Sequence, residues 1–217
     1  MKDETDIEKS SGYLRRVKAL RHFDYQKNWD LARAMSFILQ RGDREAAVLD
    51  VGCGWWGGML LPSLARHGYR NLNGCDDLLP FTGRVGPISF HKQDFLSTGF
   101  PSSSFEFVTC LSVIEHGVDQ RGFFLEAQRL LRPNGYLVIS TDYWHDRLFT
   151  ADARAFGRAW RTFDRGSVGN LLELAHDSGF SLLGEPDLMG ARRVVTWQGL
   201  SYTFLFLLMQ RRDNASP

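Results

Sequence analysis

Val48-Leu49-Asp50-Val51-Gly52-Cys53-Gly54-Trp55-Trp56-Gly57-Gly58 is the stretch around which the chain is organised: an apolar run meets an acid and then breaks into glycines. A short apolar run that stops at a glycine-rich turn describes a buried parallel strand whose backbone then approaches something closely. The expected occupant is a nucleotide-like ligand. The same letters satisfy two patterns. Gly52-x-Gly54-x-x-Gly57 is a formal dinucleotide fingerprint, whereas Asp50-x-Gly52-x-Gly54 sets a carboxylate just ahead of the turn. The rest of the chain has to choose between them.

Downstream, residues 57–67 read as a helix closed by Gly68, with Pro62 either starting it near Leu61 or distorting its opening turn. Residues 71–77 read as a second strand ending in acid, and Asp76 follows Gly52 by 24 residues, as a strand-helix-strand unit requires. A weak third strand over 86–93 ends at Asp94-Phe95-Leu96, and a turn at 101–104 precedes the strongest strand, 105–111. Residues 122–132 place Phe123, Ala127, Leu130 and Leu131 on one helical face, and Pro133-Asn134-Gly135 turns into a strand over 136–141. This alternation implies a parallel sheet with helices on both faces.

Residues 142–169 are aromatic, charged and irregular, with a helix expected over 152–160; an insertion after a central strand is where a recognition cap grows. A helix over 170–178, a strand over 180–184 and a final strand over 200–209 follow. Upstream, residues 1–11 are charged and without periodicity, so a loose or disordered tail is expected. Residues 12–40 read as two helical pieces broken near 24–28. Their basic residues Arg15, Arg16, Lys18 and Arg21 suit a solvated face, and the pieces together suit a lid. The expected division is thus a tail and helical lid over 1–45, a ligand-binding domain over 46–210 with a cap at about 142–169, and a tail over 211–217.

The 217 residues carry 26 lysines and arginines against 25 aspartates and glutamates, so no global positive field draws the chain onto nucleic acid. The longest strongly apolar run, 204–209, is far too short to span a bilayer, and the start Met1-Lys2-Asp3-Glu4 is acidic rather than signal-like. A soluble, cytoplasmic protein is expected. Cys53, Cys75 and Cys110 each end an apolar strand pattern and read as reduced packing residues; no cluster has zinc-ligand spacing.

In an open parallel sheet, ligands sit beyond the carboxyl ends of the strands, and Asp50, Asp76 and Asp94 all fall at or near such ends. The set suits an adenosine joined to an amino acid. An acid at the second strand can take both ribose hydroxyls, one near the third can accept from the adenine amino group, and the acid of the glycine loop can orient a cationic amino group.

From about residue 46 to residue 210 the chain resembles a class I S-adenosylmethionine (SAM)-dependent methyltransferase. Val48-Leu49-Asp50-Val51-Gly52-Cys53-Gly54 resembles motif I of that family, Gly74-Cys75-Asp76 its ribose-binding acid, Gln93-Asp94-Phe95 its adenine contact, and Leu130-Leu131-Arg132-Pro133-Asn134-Gly135 the connection into its fifth strand. Most specific is the block Phe105-Glu106-Phe107-Val108-Thr109-Cys110-Leu111-Ser112-Val113-Ile114-Glu115-His116, similar to the fourth-strand region of the ubiquinone-pathway O-methyltransferases. The resemblance implies a Rossmann-like, doubly wound α/β fold: a seven-stranded, mostly parallel sheet with helices on both faces and an antiparallel last strand. It also implies SAM as cofactor, held by Asp50, Gly52, Cys53, Gly54, Asp76, Asp77, Asp94, Phe95, Leu111 and Ser112.

Two positions depart from the family pattern. Trp56 stands where a third glycine is usual, with Gly57 displaced by one. Ser112 stands where metal-dependent relatives have the first acid of Glu-x-x-Glu-His, so no metal is expected. Against the dinucleotide reading, that fingerprint normally has an apolar residue at the place of Asp50, and a carboxylate facing a pyrophosphate is repulsive. The sulfonium and ammonium of SAM suit acids instead.

Methyl transfer from a sulfonium is a displacement in which positioning supplies much of the acceleration, and a hydroxyl acceptor also benefits from a general base. His116 and His145 have the residue type for that base, and Asp142 could orient either one or bind acceptor hydroxyls. Glu115 with His116 equally reads as a structural pair. Tyr143, Trp144, Phe149, Phe156, Trp160 and Phe163 suit either a satellite core or an acceptor wall. The segments 141–144 and 197–206 resemble methyltransferases of bacterial surface-polysaccharide gene clusters. This implies polysaccharide biosynthesis, with a sugar or glycan hydroxyl as acceptor and a phenolic or other small molecule next. The alternatives are a SAM-binding fold that transfers nothing and serves as a regulatory partner and, behind it, an NAD-binding Rossmann oxidoreductase.

Overall fold

A computed structural model describes residues 1, 3–54, 58–150, 152–190 and 192–213. The elements in chain order are α1 (Glu4–Arg16), α2 (Asn28–Arg41), β1 (Val48–Val51), α3 (Leu60–Arg66), β2 (Leu72–Cys75), β3 (Gly83–Val85), β4 (Ile88–His91), a 3-10 turn (Phe95–Ser97), β5 (Phe105–Leu111), α4 (Gln120–Leu130), β6 (Leu131–Tyr143), β7 (Arg154–Ala155), β8 (Arg158–Ala159), α5 (Arg165–Asp177), β9 (Phe180–Leu182), β10 (Val195–Trp197) and β11 (Leu200–Arg211). The Trp55-Trp56-Gly57 step, where the motif departs from its family, lies outside the described residues.

The main sheet runs β10-β11-β6-β5-β1-β2-β4-β3, with β9 on β11. Strands β4, β2, β1, β5 and β6 are parallel, while β11 is antiparallel to β6. Among the described residues the sheet therefore has nine strands rather than the expected seven. The two additions are the three-residue strands β3 and β10, which fold back as antiparallel hairpins on β4 and β11. Without them the order is β4-β2-β1-β5-β6-β11-β9.

Val48, Leu49 and Val51 of β1 are buried at 0–4% exposure because β2 and β5 flank the strand and helices cover both faces. On one face α2 buries Leu31, Ala34, Met35 and Ile38, spaced at three and four residues, against Val48, Leu72 and Phe107. On the other, Phe123, Ala127 and Leu130 of α4 and Val168, Leu171 and Ala175 of α5 meet Leu49, Cys110 and Ile139.

Several boundaries differ from the sequence reading. Residues 4–11 are not a loose tail: Asp3 caps α1 by accepting from the backbone of Thr5 and Asp6, and Ile7, Ser11 and Leu14 form its buried stripe. Three buried positions in a strongly charged segment are too sparse to show as periodicity. The helix expected over 152–160 is the hairpin β7–β8, turned by Phe156 and Gly157 at positive φ. Helix α5 starts at Arg165, five residues early, because Asp164 and Ser167 form a reciprocal capping box. Pro62 is tolerated in the first turn of α3, whose helical residues begin at Leu60. The Pro133-Asn134-Gly135 turn is absorbed into β6 as an irregularity opposite Phe105 and Phe107. No helix among the described residues is long and apolar enough to cross a membrane, and all three cysteines are free and buried.

Candidate active site

The register aligns Val51 with Cys75 and Cys110, and Cys75 with His91, so the segments leaving β1, β2, β4 and β5 emerge at one edge. Strand order reverses direction between β1 and β5, the place where such sheets bind ligands. There Gly52 has φ +66° and donates its N–H to the Cys75 carbonyl at 2.8 Å. A Cβ on Gly52 would sit 2.3 Å from Val113 Cγ2, and one on Gly58 would sit 2.0 Å from the Cys53 carbonyl oxygen. Gly54, at φ +59°, donates to Asp76 Oδ2 at 3.0 Å, while Asp76 Oδ1 accepts from Leu78 N–H. The loop and the acid of β2 are thereby locked together, and the carboxylate retains lone pairs for hydroxyls.

Asp50 lies beneath this loop rather than on it. It is 5% exposed, its Oδ1 accepts from the Thr109 hydroxyl at 2.6 Å, and burial raises its pKa to about 7. Cys53 is buried, and Leu111 is half-buried. Asp94 is exposed and caps the 3-10 turn, but Phe95 points into the core against Phe123, at 5.2 Å between rings, because the turn directs it inward. Asp77 is engaged by Arg158 of β8, which brings the cap hairpin across to the end of β2.

The loop after β5 holds the next group. Ser112 adopts φ +54° and donates its N–H to the Ser140 carbonyl. His116, one turn on, donates its backbone N–H to Val113, the residue packed on Gly52, and its ring meets Phe156 edge-on at 5.4 Å. Its Nδ1 is buried without a partner. Burial, then the charges of Lys27 and Arg158, push its pKa down to about 4, so the imidazole is neutral at physiological pH.

His145 is elsewhere. It lies 3.6 Å from Asp146, stacks edge-on with Trp144, and accepts at its carbonyl from Arg165 at the start of α5. Asp142 orients neither histidine: its Oδ2 accepts from the Trp160 indole at 2.9 Å, and the Tyr202 hydroxyl faces it.

Around Asp142 stands a cluster of charges that the sequence reading missed. Lys27 Nζ lies 4.5 Å from the ring centre of Phe204, which is the register partner of Asp142. Asp30, one turn along α2, is 3% exposed and accepts from Ser140 at 2.8 Å and Ser112 at 3.3 Å. Glu115 is fully buried, and its Oε2 accepts from Thr141. Burial opposes the charge on Lys27, but Asp142, Asp30 and Glu115 raise its pKa; burial and mutual repulsion raise Glu115, and burial raises Asp142. Glu115 Oε1 and Asp142 Oδ1 are buried without hydrogen-bond partners, an arrangement that costs about 1–3 kcal/mol per group. The only sequence signal for Lys27 and Asp30 is that they flank the helix break.

The cap aromatics divide. Tyr143 and Phe163 belong to the main core; Trp144 and Trp160 join Trp29, Tyr202 and Phe204 in a satellite core. Phe149 and Phe156 are exposed at 83% and 75%. A groove of about 340 Å³ involving Arg147, Phe149, Arg161 and Asp164 lies between the segment after β6 and α5, and takes in neither the glycine loop nor the charge cluster. Among the described residues no group of three His, Cys, Asp or Glu side chains is arranged to hold a metal ion.

A doubly wound sheet with a left-handed glycine turn joined to an acid at the next strand defines a nucleotide-binding α/β protein. Residues 22–183, more than half of the chain, match the family model for the methyltransferase domain, and the chain belongs to that family. It is 26% identical over 165 residues to the sterol 24-C-methyltransferase ERG6A of Gibberella zeae, covering 69% of this chain and 43% of that one. It is 30% identical over 124 residues to the ubiquinone biosynthesis O-methyltransferase of Photorhabdus laumondii, covering 49% and 48%. The chain thus spans less than half the length of these curated relatives. Its fold matches the crystal structure of Burkholderia thailandensis 1,6-didemethyltoxoflavin-N1-methyltransferase, which has its substrate and S-adenosylhomocysteine bound, with a TM-score of 0.64, 17% identity and coverage of 96% and 88%. The class is that of the SAM-dependent methyltransferases, whose cofactor is SAM. The turn at Gly52 and Gly54, held by Asp76, fits that cofactor.

Proposed function

We propose that the chain transfers the methyl group of SAM to a hydroxyl oxygen of a sugar, glycan or other small hydroxylated acceptor. The observation that carries this reading is His116: a half-buried, neutral imidazole one turn from the residue packed on Gly52. Bound SAM supplies an electrophilic methyl group on a sulfonium. Asp76 holds the ribose hydroxyls, with Asp77 and Asp94 at the same edge. Asp50 supports the loop from below through Thr109, and the backbone of Leu111 and Ser112 lines the methionine side. His116 takes the acceptor proton on its neutral imidazole as the oxygen attacks in line. His145, engaged with Asp146 and α5, is the lesser candidate for that role. The resemblance to polysaccharide-cluster methyltransferases supports a sugar acceptor.

The test is turnover of labelled SAM against a panel of sugar nucleotides, glycans and phenols, with calorimetric titration of S-adenosylhomocysteine and NAD. Micromolar binding of the former with methylation of a hydroxylated acceptor is expected. Binding of the former without turnover of any acceptor would instead favour a regulatory SAM-binding protein, and binding of NAD alone would overturn both readings.

A further inference from the structure

The charge cluster beside β6 is not closed as an internal ion pair among the described residues. Lys27 rests over Phe204, the register partner of Asp142, and Asp30 on the same helix bonds Ser140, two residues before Asp142 and on the same strand face. Ammonium and carboxylate therefore flank one spot. Yet among the described residues Lys27 makes no ion pair within 4.0 Å. Glu115 joins from the loop after β5 through Thr141, the neighbour of Asp142. Among the described residues Glu115 Oε1 and Asp142 Oδ1 have no hydrogen-bond partner within 3.5 Å although Glu115 is 0% and Asp142 3% exposed, and the Tyr202 hydroxyl faces the Asp142 carboxylate. Trp160 and Tyr202, 5.5 Å apart, stand beside Asp142 as apolar surfaces.

We infer that Lys27, Glu115 and Asp142 bind a neutral vicinal diol on the methyl acceptor. A hydroxyl is the group that can donate to a carboxylate oxygen and accept from an ammonium at the same atom. Two adjacent hydroxyls would satisfy Asp142 Oδ1 and Glu115 Oε1 together on the side of Lys27. A cationic amine is opposed by Lys27, a phosphate or carboxylate is opposed by the acids, and an aromatic ring without donors leaves both oxygens unmet. Asp30 is the positioning residue: through Ser112 and Ser140 it fixes the start of α2, and hence Lys27, over the strand ends. This deepens the proposed function, since it takes the acceptor to be hydroxylated.

The probe is a set of methyl glycosides with a cis vicinal diol, the α-mannoside, α-rhamnoside and β-galactoside, added to protein saturated with S-adenosylhomocysteine. The readout is the indole N–H resonance of Trp160, identified by its loss in Trp160→Phe, because that proton is donated to Asp142. At least one glycoside should shift it with millimolar affinity, whereas its deoxy analogue lacking one hydroxyl of the pair and phenol should not. Lys27→Met should weaken binding about tenfold or more, the loss of one charge-assisted hydrogen bond. Its affinity for S-adenosylhomocysteine should stay within about threefold. Lys27→Gln serves if the Met variant does not fold. No shift with any glycoside up to about 50 mM, equal binding of the deoxy analogue, or wild-type affinity in the Lys27 variants each overturns the inference. Diol binding without turnover removes only the enzymatic reading; methylation of an acceptor with an unchanged KM in Lys27→Met removes only the inference.

Discussion

The indole of Trp160 donates to Asp142 across 2.9 Å of buried space, and this bond ties the strand pair β7–β8 to the end of β6. Trp160→Phe keeps an apolar ring but removes the indole hydrogen bond from a buried carboxylate. A loss of about 1–3 kcal/mol is expected, read as a lower midpoint in urea unfolding. A variant as stable as wild type would show that apolar contacts alone hold the cap.

His116 sets the pH behaviour. Its folded pKa of about 4 lies below the ordinary histidine value, so the unfolded chain binds more protons between about pH 4 and 6.5. Its contribution therefore favours the fold above pH 6.5 and declines as pH falls toward 4. For activity, the acid limb of kcat/KM should fall near pH 4 instead of 6.5. His116→Ala should lower kcat about 100-fold or more with cofactor affinity retained, and His145→Ala should change it less than about threefold. The reverse ranking would move the base to His145.

Gly52→Ala meets two penalties: a positive φ and a clash with Val113 Cγ2 at 2.3 Å. Each costs about 1–3 kcal/mol, so the variant should melt lower and lose most affinity for S-adenosylhomocysteine. Adding Val113→Ala removes the clash but not the backbone strain. Calorimetry on the double variant should show partial recovery, and full recovery would mean that strain contributes nothing.

Asp77 and Arg158 join the glycine-loop side of the site to the cap. Both side chains are partly exposed, so breaking the pair should alter stability by only about 0–1 kcal/mol. Cofactor exchange is the sensitive quantity. Stopped-flow dissociation of S-adenosylhomocysteine should accelerate several-fold in Arg158→Ala, similarly in Asp77→Ala, and no further in the double variant, with the effect shrinking at high salt. Additive effects would show that the two residues act separately.

Asp50 works in the opposite pH sense to His116. Its pKa, raised by burial to about 7, means that its contribution is fully present below the ordinary carboxylate range and is lost as pH rises through 7. Asp50→Asn, which can still accept from Thr109, should gain thermal stability relative to wild type at pH 8 compared with pH 5. Equal differences at the two pH values would argue that Asp50 stays ionised throughout.

The strand-helix alternation, the glycine turn and the acids in β1 and after β2 and β4 are readable from the chain because they are local: a buried parallel strand needs consecutive apolar residues, and a left-handed turn needs glycine. Weaker local signals misled. Two-residue strands in the cap could not outweigh a helical spacing, and α1 showed too few apolar residues to betray its buried stripe. Phe95 illustrates a further limit, since a motif specifies a residue's place along the chain but not the direction of its side chain.

The sequence by itself determined the family, the mostly parallel α/β class of the central sheet and the glycine turn at Gly52. Only tertiary structure decided which side chains gather beside β6. Lys27 and Asp30 come from α2, Glu115 from the loop after β5, Asp142 from β6 and Trp160 from the cap, and no spacing in the chain connects them. They converge because the parallel strands end at one edge while α2 and the cap fold across it. Burial then turns separate side chains into one electrostatic site, which no single stretch of residues encodes.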